Sequence, residues 1–184
     1  MNLSELPIGL PVPTDDGAAK HLTGLYLPAI QLNATNGKSI QLNALKGKYV
    51  IYVYPMTGKP NIALPDGWDS IPGARGCTPQ SCSFRDYADE LTKLNANIFG
   101  LSSQTAEYQL EVKNRLHLPF ELLSDTSFLL KESLGLPTFY VGNIERYKRL
   151  TMIIDNGQIV KTFYPVFPPD KNVDDVIDWL KNHH

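Results

Sequence analysis

Cys77 and Cys82 are the only cysteines of the chain. They stand five positions apart in Gly76-Cys77-Thr78-Pro79-Gln80-Ser81-Cys82, followed by Ser83-Phe84-Arg85-Asp86. A stretch rich in Gly and Pro gives way here to an amphipathic one, so the segment reads as the start of a helix. A cysteine at a helix N-terminus faces unpaired backbone N–H groups and the positive end of the macrodipole. Both favour thiolate over thiol, and the thiolate is the nucleophile. Cys77 is therefore the activated cysteine, and Arg75 and Arg85 are near enough in sequence to add positive potential. Cys82 lies more than a turn further in, where the dipole has faded. The chemistry this predicts is thiol redox chemistry.

A bond between the two sulfurs conflicts with the helix that activates one of them. Five residues of regular helix separate Cα atoms by roughly 8–9 Å and turn the side chains about 140° apart. A disulfide needs Cα atoms within about 7 Å and converging Cβ vectors. If the pair closes, the helix start must unwind, which couples oxidation state to local unfolding.

Other uses of the pair stay open on the residues alone. Two inert buried cysteines are the bland alternative. A structural zinc wants four Cys or His ligands, and only His21 and His117 lie inside the chain, without ligand spacing. No metal or organic cofactor is expected. His183 and His184 end the chain and are given no role.

The elements that must position Cys77 follow from patterning. Residues 1–28 are rich in Pro and Gly and predict an extended N-terminal arm. Ala29–Asn33 and Ser39–Leu42 flank Asn36-Gly37, a hairpin turn signal. Tyr49–Tyr54 is β-branched and aromatic, a central strand ending at Pro55. Residues 56–76 form a long irregular loop carrying Trp68, whose expected use is packing. A helix of about three turns is predicted from Pro79, with Phe84, Tyr87, Ala88, Leu91 and Leu94 at helical spacing. Pro79 is tolerated in a first turn because no donor is lost there. Strands follow at Asn97–Leu101 and Phe120–Leu123, and helices at Thr105–Arg115 and Ser127–Leu134. Leu150–Ile154 and Gln158–Phe163 form a hairpin about Asp155-Asn156-Gly157, and Val173–Leu180 closes the chain as a helix. This order predicts an α/β domain over 1–184: a mixed central sheet, helices on both faces, an N-terminal β-hairpin, and a thioredoxin-like core.

Composition excludes other classes. A net charge of −2 with scattered Lys and Arg argues against a nucleic-acid surface. No window approaches the ~18 apolar residues of a membrane span. The first residues, Met1-Asn2-Leu3-Ser4-Glu5-Leu6-Pro7, lack a basic leader and an apolar stretch, so a cytoplasmic location is the expectation. In that reducing compartment a close cysteine pair is catalytic, redox-sensing or metal-binding rather than a structural disulfide.

The cysteine segment with Phe84-Arg85-Asp86 resembles the active-site helix of peroxiredoxins, and most of all the bacterioferritin comigratory protein (Q-type) branch with its Gly-Cys-Thr-x-Gln-x-Cys pattern. Leu42–Pro55, Leu123-Ser124-Asp125 and Arg149–Asp155 are similar to family segments too, so the resemblance runs from about residue 25 to the C-terminus. It implies a thiol-dependent peroxidase. Cys77 would be the peroxidatic cysteine, Cys82 the resolving cysteine that closes an intramolecular disulfide, and Arg149 the active-site arginine. A peroxide would be the substrate, and thioredoxin or a similar dithiol the reductant, with the protein a monomer or homodimer.

The chain departs from the family pattern in one place. The family threonine three residues before the nucleophile is here Ala74, and the segment after Pro55 is about fifteen residues longer. Thr57 is the candidate to return the hydroxyl if the insertion loops out, and Thr78 is the other. The alternatives to a peroxidase are a redox sensor or binding module switched by the Cys77/Cys82 disulfide, and a general thiol–disulfide oxidoreductase. Against the last stands the absence of Cys-x-x-Cys.

Overall fold

The computed structural model describes residues 2–183. Its centre is strand β3 (Lys48–Val53), predicted by its unbroken β-branched and aromatic run, with Tyr54 continuing it. Around it a seven-stranded sheet takes the order β2-β1-β5-β4-β3-β8-β9. The other strands are β1 (Gln31–Ala34), β2 (Ser39–Gln41), β4 (Ala96–Ser102), β5 (Glu121–Ser124), β8 (Leu150–Asp155) and β9 (Gln158–Phe163). β3, β4 and β5 run parallel, while β8 and β9 add antiparallel on one side and the β1–β2 hairpin on the other. The sheet is therefore mixed and opens with an N-terminal hairpin, as predicted. Both hairpin turns close at left-handed residues, Gly37 in one and Asn156 and Gly157 in the other.

Side-chain alternation on β3 divides the core. Val50, Tyr52 and Tyr54 face helices α1 (Cys77–Asp86), α2 (Ala88–Lys93), α3 (Ala106–Leu116) and α5 (Asn172–Asn182). Ile51 and Val53 face helix α4 (Leu129–Leu134) together with Ala19, Leu22 and Leu27 of the N-terminal stretch. Helices thus cover both faces. Tyr52 stacks on Phe84 at 4.5 Å and donates to Ser81 Oγ, so it fastens the cysteine-bearing helix to the central strand. It swings over Gly100 of β4, where an added Cβ would lie 2.8 Å from the tyrosine ring.

Three features differ from the sequence expectation. Helix α1 begins at Cys77, two residues before Pro79, because Gly76 turns into it with φ +106° and its carbonyl takes the first helical bond from Gln80 N–H. The predicted single helix breaks at Tyr87, whose backbone leaves helical values (φ −104°, ψ 11°). Leu91 stays fully buried beyond the break, so apolar periodicity alone does not reveal it. A second sheet, the hairpin β6 (Thr138–Val141) and β7 (Ile144–Tyr147), was not predicted. Its Phe139 and Val141 pack on Trp68, Met56, Leu64, Ile71 and Ala74, so the inserted loop builds its core against this hairpin. Trp68 packs in this cluster, as expected, and it also lines the small cavity beside Cys77.

The N-terminal stretch is tied down along its length: Gly24 and Leu27 donate backbone N–H groups to the carbonyls of Ile159 and Gly157, and His21 Nε2 lies 2.7 Å from the Leu134 carbonyl. Asp16 accepts from Lys148 Nζ and Tyr164 OH, both at 2.7 Å, and these two bonds, led by Lys148, hold its carboxyl down at about 2. Asn2 offers its carbonyl to Arg75 Nη2 at 3.3 Å. No helix among the described residues is long and apolar enough to cross a membrane.

Candidate active site

The start of α1 is a local consequence of sequence. Cys77, Thr78 and Pro79 occupy the first turn, where backbone N–H groups have no helical acceptor, so proline removes nothing the helix needs. Gly76 is required twice over. Its φ of +106° suits no L side chain, and a Cβ there would sit 2.4 Å from Pro169 Cγ and 2.8 Å from Leu6 Cδ2. Gly76→Ala is therefore expected to cost at least about 1–2 kcal/mol from backbone strain alone. Urea denaturation should show a lower midpoint at unchanged slope; an unaltered midpoint would show that this turn carries no strain.

Cys77 is 3% exposed and Cys82 half-buried, and both are free thiols. Because regular helix runs through both, their Cα atoms stand about 8–9 Å apart in this state, beyond disulfide reach. Burial pushes the Cys82 thiol up and Asp86 adds to this, while Arg85 and Arg115 pull the other way. Arg85 itself bonds Asp86 at 2.8 Å and the Leu116 carbonyl at 2.9 Å, so it ties α1 to the end of α3.

Arg149 opens the turn into β8, which lies directly beside β3. It is 3% exposed, not part of a solvated cluster with Arg146 and Lys148. Its Nη2 lies 3.2 Å from Cys77 Sγ and 3.1 Å from the carbonyls of both Ala74 and Arg75. Its Nη1 donates to Gln80 Oε1. Its Nε is buried with no partner among the described residues, which leaves a donor free on the guanidinium that holds Cys77. Planar, permanently charged and many-donored, arginine can hold a sulfur, two carbonyls and an amide at once.

Thr57 is not brought to the thiol in the same way. Fully buried, it uses its hydroxyl and its backbone N–H on Gln104 Oε1, at 3.1 and 2.9 Å, and its carbonyl takes the Gln104 amide and Tyr108 OH. Among the described residues no hydrogen bond joins it to Cys77. Thr78 is buried in the first turn. Where the family threonine would stand, Ala74 contributes its carbonyl, which accepts from Arg149 and faces Cys77 Sγ at 3.7 Å.

Beside Cys77 lies a cavity of about 10 Å³, close to the smallest that admits a water-sized molecule. Leu3, Met56, Leu64 and Trp68 line it with the turn Arg75–Thr78. Larger openings lie elsewhere. One of about 290 Å³ lies between Lys148, Arg149, Phe139 and Tyr164, and an open groove of about 570 Å³ runs past Cys82. Neither includes Cys77. Among the described residues no three His, Cys, Asp or Glu side chains converge as a metal site. Sequence reading missed Gln80, which bonds Arg149, and Asn172, which bonds Gln80. Both are buried polar residues, and Gln80 inside the cysteine motif was the available signal.

A thioredoxin-like sheet with a buried thiol at a helix start, held by an arginine, defines a class of thiol-redox proteins. The chain belongs to the Redoxin family, whose model matches residues 22–177. It is 30% identical over 166 residues to the chloroplastic peroxiredoxin Q of Suaeda salsa, covering 89% of this chain and 70% of that one. The corresponding protein of Sedum lineare is 29% identical over 166 residues, covering 89% and 80%. In fold the chain is similar to Peroxidoxin BcpB from Mycobacterium tuberculosis, with TM-score 0.72, 23% identity and coverage of 88% of this chain and 97% of that one. Within the family it is a Q-type peroxiredoxin, a thiol-dependent peroxidase of the oxidoreductase class.

Proposed function

We propose that Cys77 is the peroxidatic cysteine, Cys82 the resolving cysteine, and Arg149 the group that holds the thiolate and the peroxide. The observation that carries this reading is the 3.2 Å approach of Arg149 Nη2 to Cys77 Sγ at the first residue of α1. The Cys77 thiolate attacks the terminal peroxide oxygen, forming an S–O bond as the O–O bond breaks. The leaving alkoxide or hydroxide takes a proton and departs as alcohol or water, and Cys77 becomes a sulfenic acid. Arg149 faces the negative charge that passes from sulfur to the leaving oxygen.

Resolution requires the first turns of α1 to unwind. Cys82, held in its thiol form by burial, then reaches water, ionises more readily and attacks the sulfenic sulfur. A disulfide forms and water leaves. A thioredoxin-like dithiol reduces it by exchange, and the helix rewinds. The cavity at Cys77 has room for about one water-sized molecule, so a peroxide enters as lining side chains such as Leu3 or Met56 withdraw. The residues named all come from one chain, so a monomer or a homodimer serves equally. A cycle that starts from two thiols fits a reducing compartment, the cytoplasm. Thr57 has no part in this reading beyond anchoring the inserted loop through Gln104.

The test is intact mass after one equivalent of hydrogen peroxide, without reductant. The wild type should lose two hydrogens quickly and be recycled by thioredoxin. Cys82→Ser should gain one oxygen, and Cys77→Ser should stay unchanged. Slow oxidation of the wild type, or equal reactivity at both cysteines, would sink the assignment.

A further inference from the structure

Arg149 is held by more than the cysteine turn. A line of buried polar groups runs from it across the helix face of the sheet: Arg149, Gln80, Asn172, Thr151. Gln80 and Thr151 are fully buried and Asn172 is 1% exposed. Asn172 opens α5, reached through the turn Pro169–Lys171 that packs on α1. The line therefore joins the C-terminal helix, strand β8 and the cysteine helix at one place.

Its hydrogen bonds converge on Asn172 Oδ1, from Arg149 through Gln80 on one side and from Thr151 on the other. A guanidinium only donates, so Gln80 must turn its Oε1 toward Arg149. That leaves the Gln80 NH₂ pointing at Asn172, which must accept, and Nε2 lies 3.1 Å from Asn172 Oδ1. The same Oδ1 accepts from Thr151 Oγ1 at 2.6 Å. With Oδ1 committed to two donors, Asn172 Nδ2 is left buried without a partner among the described residues. A buried NH₂ without an acceptor is unfavourable, and native proteins rarely leave one so. Asn172 nonetheless keeps this orientation. Turned over, it would set its NH₂ against that of Gln80, and Gln80 would have to release Arg149.

We propose that Asn172 is a positioning residue for the peroxidase reaction: its carbonyl oxygen fixes the direction of the Gln80 amide, and thereby the donor face that Arg149 presents to Cys77. The inference rests on the peroxidase reading above. Asn172 touches neither sulfur nor substrate; its effect passes through Gln80.

The amide's asymmetry supplies the test. Gln80 needs orienting because its two ends differ, whereas a carboxylate accepts at both. Asn172→Leu removes the acceptor and should lower the second-order rate constant for Cys77 oxidation by hydrogen peroxide by about tenfold, as losing support for one charge-assisted hydrogen bond would. In a Gln80→Glu background the same substitution should cost less than about twofold, since no amide remains to be turned. Asn172→Asp keeps the acceptor and removes the orphaned NH₂; it should react within about threefold of wild type, and it carries the test if Asn172→Leu does not fold. An equal cost of Asn172→Leu in both backgrounds, or a tenfold loss in Asn172→Asp, overturns the proposal. A wild-type protein that does not react with peroxide overturns the peroxidase reading instead, so the two failures are distinguishable.

Discussion

Arg149→Ala should lower the rate constant for oxidation of Cys77 by hydrogen peroxide by about 10²–10³-fold, the scale on which removing one preorganised donor acts at a buried reaction centre. The guanidinium does two things that alanine abandons. It supplies the charge 3.2 Å from Cys77 Sγ, and it gathers the Ala74 and Arg75 carbonyls and the Gln80 amide that shape the start of α1. Those acceptors belong to buried residues, and each left without a donor costs about 1–3 kcal/mol. Stability should therefore fall together with rate, and stopped-flow oxidation must be read beside a urea titration. Arg149→Lys separates the contributions. An ammonium restores the charge, but as a compact point charge it cannot face a sulfur, two carbonyls and an amide in one plane. Lysine should recover part of the rate and remain at least about tenfold below wild type. Arg149→Ala oxidised as fast as wild type in a folded protein would remove Arg149 from the mechanism.

Phe84→Ala is the largest expected effect on stability, about 3–5 kcal/mol. The ring is fully buried and stacks on Tyr52 with 4.5 Å between centroids and planes 9° apart. Tyr52 in turn meets Phe120 edge-on and Ser81 through its hydroxyl. The substitution thus opens a cavity between the cysteine helix and the central strand, where close-packed neighbours cannot collapse to fill it. A domain of this kind has only about 5–15 kcal/mol in hand. Equilibrium urea denaturation gives the number; a loss under about 1 kcal/mol would mean that the helix is held chiefly by its other contacts, with α5 and the turn before it. Because both cysteines ride on this helix, Phe84 also sets how firmly α1 opposes the unwinding that a disulfide demands.

Much of the scaffold was legible because its signals are local. Val50, Ile51 and Val53 with Tyr52 between them specify a strand buried on both faces, and β3 is such a strand. Asn36-Gly37 and Asp155-Asn156-Gly157 specify tight turns because few residues accept positive φ, and both hairpins form there. The break at Tyr87 was hidden because a change in helix direction preserves the apolar spacing on either side of it. The β6–β7 hairpin was hidden because its buried residues answer to Trp68 in a loop some seventy residues earlier, not to a regular pattern of their own.

The sequence by itself determined where the candidate thiol would stand: Gly76 before Cys77 and Pro79 in the first turn fix a helix start by rules that operate within a few residues. It did not determine what that thiol would meet. Arg149 lies 72 residues away and reaches Cys77 only because β8 takes the place beside β3 in the sheet. The same packing brings Asn172 to Gln80, uses the Thr57 hydroxyl on Gln104, and lays Leu3 against the cavity at Cys77. Local backbone preferences are written in short windows, but the partner of a buried charge is chosen by strand order and close packing, and those exist only once the chain has folded.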